Sequence, residues 1–448
     1  MEKVKYDVVI IGAATSGAFF AKRMAQKGYK VKVIEKLSKE TLGRRLDIFH
    51  VAKMEFDRFG LPKVKKGDLE WAFEFDDNFT ASPYDNYPKK NVGTIVGMHM
   101  AEYIALMNKE AMEAGAEFEY DAPFEDFIYE YGKIVGVVYG GGKELLSKVV
   151  VDCSGTASAS RRKLPNDYGV ENFEITPEDK FYVILRYVKF LDGKDYHHSS
   201  RGWPFYKTWI APCADPEGAI IGIGACHSYD YAEQIYAKFE KDINLPPYEL
   251  TRIEKGTTPY TRCPYSFVGD NYIVSGDAAC LTKPNNGEGV TSSMVQMVIA
   301  TEVLDKALKA GDTSKEALWE INVRYNEEQG ADFCFTRAVL TKAVNATRDE
   351  FEYFFKKDII FSEKFLDSVN AGPAVKMTLG DILHIAGGII SGLFTKQLSF
   401  NSLKLLIEGI TLGNELKLHY LDFPSTPADY DSWVERANEL WAKVGKMQ

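Results

Sequence analysis

The stretch Tyr6 to Glu35 constrains the fold of this chain most. An apolar run, Val8 to Ile11, stops at Gly12. Ala18, Phe20, Ala21, Met24 and Ala25 then recur with a helical period up to Gly28, and a second run, Lys30 to Ile34, ends at Glu35. A short run apolar on both faces reads as a buried parallel strand. Two such runs around one helix form a crossover unit inside a parallel sheet. The turn between them, Gly12-Ala13-Ala14-Thr15-Ser16-Gly17, lacks the middle glycine of a dinucleotide-binding turn, yet every remaining piece has a task. Gly12 permits the tight turn, and Gly17 lets helix and strand approach. Ala14 adds one methyl group where the backbone would near a pyrophosphate. Thr15 and Ser16 open a helix whose free N–H groups and positive dipole end suit an anion. Glu35, followed by Lys36, lies about twenty residues beyond the turn, where a carboxylate accepts hydrogen bonds from ribose hydroxyls.

A second signal comes much later. In "NYIVSGDAACLTKPNNGEGVTSSMVQMV" a short strand ends at Ser275, Gly276-Asp277 follows, and a turn from Pro284 to Gly289 leads into a long helix. A third strand, "VVVDCSG", reaches Gly155 between the two signals. The Gly-Asp stretch resembles the second fingerprint of FAD-dependent reductases and hydroxylases. That resemblance implies that Asp277 binds the ribityl chain of FAD. It also implies that the helix start at Gly287, Gly289 and Val290 faces the N1–C2 carbonyl side of the flavin.

With "EFDRFGLP" (Glu55 to Pro62), "VVVDCSGTASASRRKLP", "YKTWIAP" and the tail "HYLDFPSTP", the chain resembles the geranylgeranyl reductase family nearly end to end. The family lies within the larger group of FAD enzymes that includes aromatic hydroxylases and halogenases. The resemblance implies an α/β fold: a Rossmann-type FAD-binding domain, an antiparallel β-sheet substrate domain and a helical C-terminal region. The FAD domain would use residues 1–170, with an insert at 66–94, and resume over 265–312. Residues 171–264 would form the substrate sheet, joined by the insert to roof the flavin, and 313–448 the helical region. Two departures stand out. A cysteine of the family's flavin-facing loop falls on Asp47, and a customary arginine falls on Met100, which leaves Arg44 or Arg45 for the pyrophosphate.

The resemblance implies reduction of a carbon–carbon double bond in an isoprenoid or similarly apolar substrate, with hydride from the flavin and a proton from the protein. Asp47 and His50 are the candidate acids. A carboxyl group sealed in an apolar pocket keeps its proton near neutral pH; the competing reading makes Asp47 the N-cap of a helix over "HVAKMEFDRFG". Tyr206, Trp209 and Pro284 are expected to line the substrate cavity. The alternative is a flavin monooxygenase or dehydrogenase acting on a smaller aromatic molecule, and a third reading is a flavin-bearing carrier without turnover. No second dinucleotide turn is visible, so electrons would come from an external donor.

Composition narrows the partners. A formal charge of −10 and a pI near 5.4 argue against nucleic acid and leave at most a weak peripheral contact with a membrane. Six cysteines without a CxxC pair indicate neither a metal site nor a disulfide framework, and a cytoplasmic setting is expected. The run Ile382 to Phe394 is too short to span a bilayer and reads as a buried helix or an apolar wall facing a greasy ligand.

Overall fold

The computed structural model describes residues 5–192, 196–343, 345–359, 362, 366 and 378–445. Strand β1 (Lys5–Ile11) pairs in parallel with β2 (Val31–Ile34) on one side and with β11 (Lys143–Asp152) on the other. Helix α1 (Thr15–Gln26) makes the crossover from β1 to β2. The apolar runs supply the core: Val8, Val9, Ile10, Val31, Val33 and Val149 to Val151 are fully buried. The sheet continues from β2 to β8 (Glu117–Glu119) and from β11 to β18 (Tyr272–Val274), both in parallel. A short β17 (Val268–Gly269) lies antiparallel at the β18 edge, and β9 (Phe124–Glu130) and β10 (Lys133–Tyr139) extend β11 as an antiparallel meander. Register matters here. Ile11 lies opposite Asp152, and Asp152 opposite Val274. Three strand ends therefore coincide at the carboxyl edge, the usual ligand side of an open parallel sheet.

A second, seven-stranded sheet stands over that edge. Its order is β16 (Tyr248–Pro259), β12 (Lys180–Phe190), β15 (Ala219–Ala225), β14 (Thr208–Pro212), β13 (Ser199–Trp203), β5 (Asp77–Thr80) and β6 (Lys89–Asn91). The expected roof of two inserts forming one antiparallel sheet needs correction. β13 and β5 pair in parallel. β4 (Trp71–Phe75), from the same insert, joins β7 (Ile95–His99) and β3 (Ile48–Ala52) in a separate three-stranded sheet. Only Asp76 separates β4 from β5, so one extended stretch changes sheet at that residue.

The roof has two distinct faces. Ile184, Val188, Trp203, Ile210, Ile221 and Ile223 pack with Phe239 of α4 (Tyr229–Asp242). Leu185, Tyr187, Trp209 and Ile220 point the other way, towards Leu46 and Ile48 of the first domain. Trp209 lies flat on the backbone opposite, where a Cβ on Gly222 would sit 2.0 Å from the indole.

Helix α2 (Met54–Phe59) follows β3, and α3 (Met100–Glu113) follows β7. Behind the sheet runs α5 (Val290–Ala310), packed on α1. The C-terminal part is helical: α6 (Lys315–Leu318), α7 (Glu320–Tyr325), α8 (Ala331–Ala343), α9 (Arg348–Lys356), α10 (Leu379–Phe394), α11 (Phe400–Leu421) and α12 (Tyr430–Val444). The apolar run forms α10, but the expectation of a buried helix is corrected. Leu379 is 72 % exposed, Leu383 64 % and Phe394 89 %, while Gly392 is its one buried residue among those described. The cause is that the helix packs its glycines inward. The Gly388 carbonyl accepts a hydrogen bond from the Tyr353 hydroxyl at 2.8 Å, and Gly392 lies against Leu398 and Tyr353. Ile385, Ile389 and Leu393 pack on the same side, half-buried, and Leu379, Ile382, Leu383, Ile390 and Phe394 are left outside. None of the described helices is long and apolar enough to cross a membrane.

The contact of Trp209 with Gly222 gives a test of the roof. Gly222→Ala would drive a methyl group into the indole, so the variant should lose about 1–3 kcal/mol of stability, measured by urea denaturation at constant m-value.

Candidate functional site

Each strand ending at the carboxyl edge contributes a loop, and close backbone contacts hold the loops together. Gly12 has φ of +106°, and a Cβ there would sit 2.3 Å from the Cys153 carbonyl oxygen. A Cβ on Gly17 would lie 1.9 Å from the Gly12 carbonyl oxygen. Gly276, at φ +63°, brings the later Gly-Asp loop onto α1: its Cβ would be 2.9 Å from Ser16 Oγ. The two stretches, some 260 residues apart in sequence, thus meet at one point.

Two helices begin there with no side-chain cap, α1 after Ala14 and α5 after Gly289. Their first-turn N–H groups have no partner within the helix and are available to an anion or an electron-rich ring edge. Thr15 and Ser16 are half-buried in the first turn of α1. Thr291 Oγ1, in the first turn of α5 beside Val290, is buried without a partner. Gly155 (φ +74°) and Gly287 (φ +82°) face open space.

Acidic groups flank these helix starts. Glu35 is buried, and its two oxygens accept the Ala13 and Leu37 N–H groups at 2.9 Å each, which pins the turn. Lys36 is exposed. Asp277 accepts the Thr156 hydroxyl at 3.2 Å; burial pushes its carboxyl up to about 6, against that hydrogen bond. Gly289 is kept small by the same group, since a Cβ would sit 3.1 Å from Asp277 Oδ1. The loop after β11 is wired by Arg161. This fully buried guanidinium donates to the carbonyls of Ala278 and Glu171 and to Ser158.

Other expected residues stand elsewhere than foreseen. Asp47 is neither a protonated acid nor a helix cap. It precedes β3, and the N-cap of α2 is Lys53. His99 Nδ1 and an Arg252 Nη each lie 2.9 Å from the carboxylate. Burial would raise its pKa, but these two partners hold it below the usual carboxylate range. The recess beside it, about 280 Å³, is lined by Lys189, Asp215 and Arg252, so its setting is ionic. Arg44 is paired with Glu102 at 2.6 Å, and Arg45 donates to the Lys255 carbonyl. Both side chains have partners on the protein.

His50 lies in strand β3 and is exposed, its Nε2 3.9 Å from Glu288 on the Pro284–Val290 turn. Pro284 is buried, and its carbonyl accepts the Tyr260 hydroxyl. Trp209 faces the first domain as described, but Tyr206 does not. Its ring packs on Phe239 and its hydroxyl meets Asp242 and Arg348, on the α4 face of the roof. The inward place next to it belongs to Lys207, which donates to the Asn285 carbonyl at 2.8 Å. Sequence reasoning missed Lys207, as it missed Thr156, His99 and Arg252. None of the four carried a local signal: Lys207 lies in a turn, where strand alternation assigns no face, and the others are set by partners distant in sequence.

The chain matches a model of the FAD binding domain over residues 5–192. It is 26 % identical to digeranylgeranylglycerophospholipid reductase of Sulfolobus acidocaldarius over 100 % of this chain and 99 % of the relative. The chain is thus similar, end to end, to proteins of the geranylgeranyl reductase family. It is 23 % identical to a Haloferax volcanii protein of the same name, over 83 % of this chain and 94 % of the relative. The fold is shared with a geranylgeranyl bacteriochlorophyll reductase-like protein of Thermoplasma acidophilum, at a TM-score of 0.65, 17 % identity and coverage of 88 % and 99 %. It is shared also with a flavin-dependent brominase, at a TM-score of 0.57, 18 % identity and coverage of 88 % and 100 %. The cofactor is FAD, and the uncapped helix starts and flanking carboxylates are a donor set that fits it.

The Asp47 ion pairs predict a pH effect. A carboxylate whose folded pKa lies below its unfolded value of about 3.8 contributes stability above that pH and loses it as pH falls through the folded value. Asp47→Asn should therefore cost about 1–2 kcal/mol at pH 7. The gap from wild type should close below pH 3.8, read from thermal melts across pH.

Proposed function

We propose that this FAD-dependent oxidoreductase saturates carbon–carbon double bonds in the isoprenoid chains of a lipid. The observation that carries the reading is the end-to-end likeness to proteins named as reductases of digeranylgeranylglycerophospholipid. The Gly12–Gly17 turn and the start of α1 would take the pyrophosphate. Glu35 would accept a ribose hydroxyl through the lone pairs left by its two backbone bonds, and Asp277 would hold the ribityl chain with Thr156 at its side. The start of α5, with Gly287 and Gly289 giving close approach, would meet the flavin ring, where its dipole favours negative charge.

FAD supplies a hydride to the substrate when bound and reduced by an external donor. The chain's own residues must exclude water, orient the alkene and provide a proton. Trp209 and Pro284 would form apolar walls on the roof and on the turn. His50, open to solvent beside Glu288, would return protons from water. The outward bulky face of α10 would rest in the surface of a bilayer, a peripheral contact that brings the protein to its lipid.

Three outcomes are expected. Dithionite-reduced protein, kept anaerobic, should be reoxidised by a geranylgeranyl ether lipid in detergent; reoxidation by oxygen alone, hastened by an aromatic substrate, would favour a monooxygenase instead. Glu35→Gln should weaken FAD binding by about 1–3 kcal/mol, since an amide cannot accept from both Ala13 and Leu37; titration of apoprotein decides it. Co-sedimentation with phosphatidylcholine vesicles should fall markedly in the double variant Leu383→Asp, Phe394→Asp.

A further inference from the structure

One cation close to the site has no carboxylate partner among the described residues. Lys207 closes the four-residue turn Pro204–Lys207 between β13 and β14. Tyr206 points to the α4 face and Trp209 to the first domain, while Lys207, in the turn, is placed by its own hydrogen bond. Its ammonium crosses from the roof to the turn after the Gly-Asp loop and donates to the Asn285 carbonyl at 2.8 Å. The neighbouring Pro284 carbonyl is taken by Tyr260. The Lys207 backbone is strained, at φ +53°, a region where few residues other than glycine settle and which clusters at functional positions.

The groups facing Lys207 come from several elements. Cys226 follows β15, and Arg337 of α8 donates to the Tyr260 carbonyl at 3.1 Å. On the turn itself Glu288 is engaged by Lys283 at 3.0 Å, with His50 at 3.9 Å. Lys207 is half-buried, and an ammonium drawn partly out of water, near a second cation and without a counterion, holds its proton more loosely. Desolvation, opposed by Cys226 and aided by Arg337, lowers Lys207 to about 8. Burial raises the Cys226 thiol to about 11, so it stays neutral.

We propose that Lys207, held by the Asn285 carbonyl between roof and turn, donates the proton that completes reduction of the double bond. The inference rests on the alkene-reductase reading above. The π bond breaks as one carbon receives the hydride of reduced FAD, with both its electrons. The pair left on the adjacent carbon takes the Nζ proton. Lys207 becomes a neutral amine and regains a proton from water by way of the exposed His50 side of the turn. A lysine near neutrality suits this task, because general acids act best when their pKa lies close to the working pH. The competing role is a tether that only ties roof to turn. Arginine could make the same hydrogen bond but cannot release its proton, and this separates the two.

The test uses the FAD-loaded protein and the variants Lys207→Met and Lys207→Arg, each checked for FAD content and thermal stability. Stopped-flow reoxidation of the dithionite-reduced proteins by the geranylgeranyl ether lipid should be slowed about 100-fold or more in both. The wild-type rate should decline as pH rises through about 8, a limb that both variants lose. Independently of turnover, ¹³Cε-lysine labelling of the oxidised protein should reveal one resonance, missing in Lys207→Arg, that titrates near 8. A wild-type rate in Lys207→Met, recovery in Lys207→Arg, or a midpoint near the ordinary lysine value of about 10.4 would each overturn the proposal. If the wild-type protein itself is not reoxidised by the lipid, the reductase reading fails and takes this inference with it.

Discussion

The site depends on backbones being allowed to touch. A methyl group on Gly17 would overlap the Gly12 carbonyl, and one on Gly276 would press on Ser16. These two contacts bring the start of α1 against strand β1 and the Gly-Asp loop against α1. Without them the uncapped helix starts would be separate features, each a weak attractor of negative charge. Together they frame one cleft, with Glu35 bracing the turn from beneath. The missing middle glycine matters less. Ala14 is half-buried at the helix start and packs against the core.

A chain with ten excess negative charges must keep its acids from repelling an anionic cofactor. It does so by pinning them. Asp152 accepts the N–H groups of Ser154 and Arg161 and the Tyr272 hydroxyl. Glu35 is held by two backbone donors, and Asp47 by His99 and Arg252. Asp277 accepts the Thr156 hydroxyl, and burial pushes its carboxyl up to about 6.

Features written into short stretches were legible in the sequence. The turn from Gly12 to Gly17, the acid at Glu35 and the loop at Gly276–Asp277 are local patterns with local causes. What failed depended on distant partners or on parity. Asp47 looked like a residue that could keep its proton, but its fate is decided by His99 and Arg252, the latter 205 positions away. Tyr206 looked like a cavity residue because the resembled family has aromatic side chains there. Strand β14 starts only at Thr208, and the turn before it swings Tyr206 to the other face. The run Ile382–Phe394 was read by its hydropathy, whereas its packing is set by the glycines between the isoleucines.

The hairpin that carries Lys207 has a further consequence. β14 is locked in register by β13 and β15 on its two sides, so Trp209 cannot slide. The turn before it is free to change in length. Adding or removing one residue there would leave the strand untouched and replace whatever occupies the last position of the turn, next to the Asn285 carbonyl. Relatives that differ by a single insertion in this hairpin would then present different chemistry over an unchanged cofactor cleft. Reactivity in such a scaffold can diversify through loop length while the core sequence stands still.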